Sequence, residues 1–249
     1  MPAPSLLEIA AVPAFSDNYI WLVHDPASGE TAAVDPGDAA PALAEAERRG
    51  WTISQVWNTH WHPDHTGGNV AAKQAAVESG GTCTVSGPGV RPIAGLDVAL
   101  AEGAEIRIGA HVGTVWAIPG HTLDHLALVF EQERVAFVGD TLFAMGCGRL
   151  FEGTADQMHA SLQRLASLPE DTALYCGHEY TLANAKFAQS AEPDNPAIAA
   201  RLDAVAQLRS AGQITLPTTV AEERATNPFV RASDARELAR LRAAKDSFR

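Results

Sequence analysis

An α/β fold, with two sheets sandwiched between outer helices and a small helical part at the end of the chain, is what the sequence predicts. Short β-branched runs punctuated by Gly, Pro and Asp fill the first two-thirds of the 249 residues. The helical stretches among them are too few for a strict βαβ repeat, which favours layered sheets. Beyond His178 the strand pattern gives way to helical periodicity.

In chain order, residues 6–12, 20–24, 31–34, 56–59, 82–86, 105–108, 111–117, 126–130, 135–138 and 173–176 read as strands, each rich in residues that fit a pleated surface. Helical spacing appears at 41–49, 69–79 and 156–167. After His178, residues 182–189 and 196–211 read as helices and 213–219 as a connector. Residues 234–248 read as a last helix with Ser233 as its cap. The change of pattern places a boundary at 178, giving a larger domain, 1–178, and a helical domain, 179–249.

A chain with 46% hydrophobic and 19% charged residues, 20 Gly and 15 Pro is an ordinary globular one, neither collagenous nor disordered. No apolar run approaches the roughly 18 residues that cross a bilayer. The start, Met1-Pro2-Ala3-Pro4-Ser5, has neither the basic nor the apolar part of a secretory signal. Three cysteines, Cys83, Cys147 and Cys176, make no disulfide framework, and a cytoplasmic protein is expected. The net charge of −12 argues against a nucleic-acid partner. Residues 222–249 are the exception, with seven basic residues against five acidic. That tail either docks on the acidic body or holds an anionic ligand.

Chemistry concentrates in His60-Trp61-His62-Pro63-Asp64-His65, on a strand-to-helix loop. Three imidazoles and a carboxylate in six residues are too many for core histidines, and a merely solvated loop accounts poorly for them. His60 and His62, two apart in extended chain, point to the same side, and Pro63 forces a turn before Asp64 and His65. Imidazole and carboxylate are borderline ligands suited to zinc or iron. His121, Asp140 and His178 each stand at a strand end beside a Gly. Any one alone reads as structural. With the loop they make five His and two Asp, the ligand set of a binuclear centre, in which Asp140 has the carboxylate free to bridge.

The order His-x-His-x-Asp-His, then His, Asp and His at later strand ends, resembles the metallo-β-lactamase superfamily. Within it the chain resembles the glyoxalase II (hydroxyacylglutathione hydrolase) family along nearly its whole length. The segments Gly139-Asp140-Thr141-Leu142-Phe143, Gly146-Cys147-Gly148-Arg149, Phe151-Glu152-Gly153-Thr154, His178-Glu179-Tyr180-Thr181 and Ala225-Thr226-Asn227-Pro228-Phe229 match that family's text. The resemblance implies an αββα sandwich followed by a helical C-terminal domain that binds substrate. It implies two divalent ions, zinc first, with iron or manganese as alternatives. His60, His62 and His121 would hold one, Asp64, His65 and His178 the other, and Asp140 would bridge. It assigns Arg149, Phe151, Tyr180, Arg242 and Lys245 to the substrate, a small glutathione thioester.

Arg242 and Lys245 are three apart, so they share a helix face and suit a carboxylate. Without the resemblance, a solvated basic face is the better explanation of them. The family often carries Lys and Tyr where this chain has Arg149 and Phe151. Arg keeps the charge, and Phe151 loses a hydroxyl and any hydrogen bond from it.

The implied reaction is hydrolysis of S-D-lactoylglutathione to glutathione and D-lactate, the second step of methylglyoxal detoxification, by a monomer acting on neither nucleic acid nor membrane. Two metals would lower the pKa of a shared water toward about 7. A thiol of pKa about 8.5 leaves without a strong acid. No side-chain nucleophile is needed, and Asp64 and Asp140 would hold the metals and the attacking water. Asp124 and Glu179 are candidates to steady the ligand imidazoles; His24, His111, His125 and His159 read as structural or surface residues, although His125 follows His121 closely enough to join them. The alternative from another reaction class is a mononuclear iron persulfide dioxygenase of the same fold.

Overall fold

A computed structural model describes residues 6–248. The Met1–Ser5 start and Arg249, the last basic residue of the tail, lie outside the described residues. Two compact units account for the chain. One runs to Ala117 and takes in Leu126–Gly139, and the other comprises Ile118–His125 and the chain from Asp140 onward.

The first unit contains β1 (Glu8–Ala14), β2 (Asn18–His24), β3 (Glu30–Val34), α1 (Ala39–Arg49), β4 (Thr52–Trp57), α2 (Pro63–Thr66), α3 (Asn69–Glu78), β5 (Thr84–Pro88), β6 (Val98–Leu100), β7 (Glu105–Ile108), β8 (His111–Ala117), β9 (Leu126–Phe130) and β10 (Val135–Gly139). Its first sheet has the order β1-β2-β3-β4-β5-β6. The pairs β1/β2 and β2/β3 are antiparallel, and those from β3 to β6 are parallel. Strands β7 to β10 form an antiparallel meander. The sheets face each other where Trp57 of β4 stacks on Phe130 of β9, with ring centroids 5.7 Å apart.

Helices α1 and α3 cover the other face of the first sheet. Ala39, Ala42, Ala46, Ala72 and Ala76 pack there against Val12, Ile20, Leu22, Val56 and Val85. Alanines on the helices let the backbones approach closely while the β-branched strand residues fill the layer. Helix α1 begins where Asp38 accepts from the Ala40 N–H and ends at Gly50, whose left-handed φ of 73° closes the last turn.

The second unit contains β11 (Leu142–Phe143), β12 (Gly146–Cys147), α4 (Ala155–Ala166), β13 (Ala173–Cys176), α5 (Thr181–Ala191), α6 (Pro196–Ser210), β14 (Thr218–Thr219), α7 (Val220–Thr226), α8 (Pro228–Arg231) and α9 (Ala235–Ser247). Helices α5 and α6 close over Met145, Ala185, Ala188 and Ile198. Asn227 caps α8 and donates to the Phe143 and Gly146 carbonyls and to Glu223. The Ala225–Phe229 segment, one of those that carry the resemblance, therefore anchors the β11–β12 hairpin. The last helix is capped by Asp234, not Ser233: the Asp234 carboxylate accepts from the Glu237 N–H, and Ser233 instead donates to the Glu237 side chain. Strand β6 and helix α7 escape the sequence reading. The former is three residues long, and the latter has two glutamates and an arginine where an apolar stripe would signal a helix.

Candidate metal centre

The loop after β4 is built by side chains far from it in sequence. Asp35, at the end of β3, accepts from both the Thr59 N–H and the Thr59 hydroxyl at 2.7 Å. Its second oxygen also stands 3.1 Å from His65 Nδ1. Asn58, fully buried, donates to the His65 carbonyl and pairs with Asn69, the first residue of α3. Asn18, the first residue of β2, donates to the backbone and carboxylate oxygens of Asp64. These contacts fix the loop before any ligand arrives, as a metal site requires.

On that frame the donors converge. His60 Nε2 lies 3.0 Å from His62 Nδ1, and His65 Nε2 lies 3.4 Å from the Asp64 carboxylate. The Thr59 hydroxyl sits 3.0 Å from His60 Nδ1, so the opposite ring nitrogen turns toward His62. Ligand atoms of Asp35, His60 and His65 all fall within 4.8 Å of one another. Asp35, engaged by Thr59 and facing the far side of the His65 ring, is placed to orient that imidazole. The sequence reading missed it, although it stands at a strand end as Asp140 does.

In the second unit, His121 Nε2 is 3.6 Å and His178 Nε2 3.3 Å from the same Asp140 oxygen. The Arg149 carbonyl accepts from His121 Nδ1 at 2.9 Å, which fixes the proton there and turns the Nε2 lone pair, the one a metal would use, toward Asp140. His125, wholly buried, accepts from the Asp140 N–H through Nε2. Gly148 is required for this approach: a Cβ there would overlap the Asp140 carbonyl and stand 3.1 Å from His121 Nδ1. Glu179 takes the Thr215 N–H and hydroxyl and pairs with Arg209.

The substrate-side residues fall into two groups. Tyr180 stacks on His178 with centroids 4.7 Å apart and planes 3° from parallel, and Phe151, 62% exposed, lies 5.2 Å from the His121 ring. Arg149 and Arg242 meet at Asp246, with Lys245 beside them on α9. Arg242 donates to the Asp246 carboxylate and to the Cys147 carbonyl, and Arg149 stands 3.7 Å from that carboxylate. Lys245 donates to the Ala183 carbonyl and lies over Phe187 and Phe248. Burial, with Arg242 beside it, pulls the Lys245 amine below its ordinary value. Asp246, four residues after Arg242 and readable as its helical partner, was also missed.

Buried thiols add nothing to the chemistry. Burial pushes Cys147 up to about 11 and Cys176 up to about 12, so neither is a thiolate at neutral pH. His24, His111 and His159 are engaged by Thr31, Glu133 and the Ala232 carbonyl. Imidazoles and carboxylates at these separations fit a divalent ion of the zinc, iron or manganese kind.

A layered α/β fold carrying His/Asp groups able to hold divalent metal defines a metallo-β-lactamase-type protein, and the model of the metallo-beta-lactamase superfamily matches residues 15–178. The remainder, 179–248, matches the model described as hydroxyacylglutathione hydrolase C-terminus. A hydroxyacylglutathione hydrolase of Methylococcus capsulatus is 49% identical over 95% of this chain and 91% of its own length. Another, from Pseudomonas fluorescens, is 50% identical over 92% and 88%. Among solved structures, ETHE1 from Myxococcus xanthus is similar at a TM-score of 0.71 and 26% identity, covering 96% of this chain and 90% of that one. The chain belongs to the hydroxyacylglutathione hydrolase family, with the αββα fold and helical C-terminal domain of that family.

Proposed function

We propose that the chain hydrolyses S-(2-hydroxyacyl)glutathiones, S-D-lactoylglutathione foremost, to glutathione and the 2-hydroxy acid. One observation carries this reading: relatives named for the activity match over about nine-tenths of their own length, helical C-terminal part included. In this reading the chain holds two divalent ions, zinc first, with iron or manganese as alternatives. His60, His62 and His121 would hold one, Asp64, His65 and His178 the other, and Asp140 would serve both. Such ions, when bound, lower the pKa of water toward about 7 and polarise a carbonyl oxygen.

The chain's own residues prepare the donors and hold the substrate. Asp35 and the Arg149 carbonyl fix the rings of His65 and His121, and Asn18 holds Asp64. Arg149, Arg242 and Lys245 bind the carboxylates of the tripeptide, and Tyr180 and Phe151 flank it from beside His178 and His121. Without a hydroxyl, Phe151 contributes contact but no hydrogen bond. The departing thiol, of pKa about 8.5, leaves as thiolate and asks no proton of a side chain. Residues 1–178 form the catalytic domain in this scheme and 179–249 the substrate-binding one. None of the described helices is long and apolar enough to cross a membrane. A cytoplasmic monomer that binds neither membrane nor nucleic acid completes the proposal, the net charge of −12 speaking against nucleic acid.

The test is loss of thioester absorbance from S-D-lactoylglutathione, with metal analysis, before and after chelation. Rapid cleavage with two ions per chain, abolished by the chelator and restored by zinc, is expected. No cleavage by the metal-loaded protein overturns the proposal, and oxygen uptake on glutathione persulfide would then point to the dioxygenase.

A further inference from the structure

The residues assigned to the substrate all serve its glutathione part, and none yet meets the acyl group. The hairpin between β1 and β2 offers a surface for it. Phe15 sits at its tip, 62% exposed, and among the described residues of the first unit it is the only aromatic side chain so open to water. Its backbone is left-handed, with φ at 50°, a conformation costly for a bulky L-residue and easily met by Gly or Asn. An exposed ring in a strained position gains little from core packing, and such strain collects where a ligand is met.

The ring also lies beside the donor loop. A Cβ built at Gly37 would overlap the Asp64 carbonyl oxygen and stand 2.7 Å from Phe15 Cε2. The Phe15 ring, the turn after β3 and the Asp64 backbone therefore meet at one point, where only a glycine at 37 leaves room. Asn18, three residues after Phe15, ties the same hairpin to both oxygen types of Asp64. The hairpin is thus fastened beside its turn to a candidate metal-donor residue, with an unburied aromatic face at its tip.

We propose that Phe15 is a specificity-determining residue, its ring forming the apolar wall on which the acyl group of the thioester lies. The inference rests on the thioesterase reading, and it names the part of the substrate that reading leaves open. Contact area then sets the preference. An acetyl group touches the ring little, a lactoyl group more, and an aromatic 2-hydroxyacyl group stacks on it.

The experiment compares S-acetyl-, S-lactoyl- and S-mandeloylglutathione with the metal-loaded native protein, Phe15→Ala and Phe15→Leu. Phe15→Ala is expected to lower kcat/KM about tenfold on the mandeloyl thioester and less than about twofold on the acetyl one. Phe15→Leu, which keeps apolar volume and the shape of the hairpin, should fall between, with metal content unchanged in both. Equal losses across the series in both variants, or none, would overturn the role of Phe15 while leaving the thioesterase intact. A native protein that cleaves none of the three overturns the thioesterase reading and this inference together.

Discussion

The donor loop of the first unit and helix α9 of the second hold their charged side chains in opposite ways. In the loop, two of the four candidate donors are held by residues distant in sequence: Asp35 for His65, Asn18 for Asp64. On α9, Arg242 is fixed by Asp246 one turn along, and the exposed Arg149 reaches the same carboxylate. The first arrangement sets the positions of the candidate donors before a metal binds, and the second gathers a buried and an exposed cation on one carboxylate, in the place of an anionic ligand. Chemistry that needs positions fixed to a fraction of an ångström is built on buried contacts, and recognition of a flexible anionic tripeptide tolerates looser ones.

Losing a donor should do the most harm. Asp140→Asn is expected to cut activity beyond the roughly 10–100-fold typical of outer partners, with metal lost from the protein by elemental analysis. Retained activity with full metal content would remove Asp140 from the centre. Asp35→Asn tests the outer layer itself. A loss of about 10–100-fold in metal affinity or kcat is expected, with KM nearly constant. A change confined to KM would mean that Asp35 acts on substrate and would break the contrast between the two regions.

Legibility in the sequence follows the same contrast. The loop was readable as a candidate metal site because three His and an Asp lie within six residues, and His121, Asp140 and His178 as further candidates because each stands at a strand end beside a Gly. Strands at 105–108, 111–117 and 126–130 kept their sequence bounds, since apolar runs between turn signals leave little choice of register. Asp35, Asn18 and Asn58 were not readable. Taken singly they are turn and cap residues, and their roles exist only once β2, β3 and β4 lie side by side. The substrate group divides likewise. The spacing of Arg242 and Lys245 shows a shared helix face, but not that Arg242 is 7% exposed and spends one donor on the Cys147 carbonyl.

That donor separates two substitutions on α9. Lys245→Ala is expected to raise KM for the thioester about tenfold with little change in kcat, the scale of one charge-assisted hydrogen bond. Arg242→Ala should raise KM similarly and also lower the melting temperature, because it leaves the β12 carbonyl unpaired in a buried place. Equal melting temperatures for the two variants would show that Arg242 serves substrate alone.

The smallest effect is a pH dependence. Burial disfavours the Lys245 ammonium, and the neighbouring Arg242 adds to this, so its proton is lost at lower pH than from an ordinary lysine. Losing it removes a positive charge, so affinity for an anionic thioester should fall as pH rises, beginning before a solvent-exposed lysine would titrate. Lys245→Arg keeps its charge throughout that range. The variant's KM should stay flat on the alkaline side where the native KM climbs. If both curves climb together, Lys245 is not the titrating group, and its place on α9 is then that of a packing residue over Phe187 and Phe248.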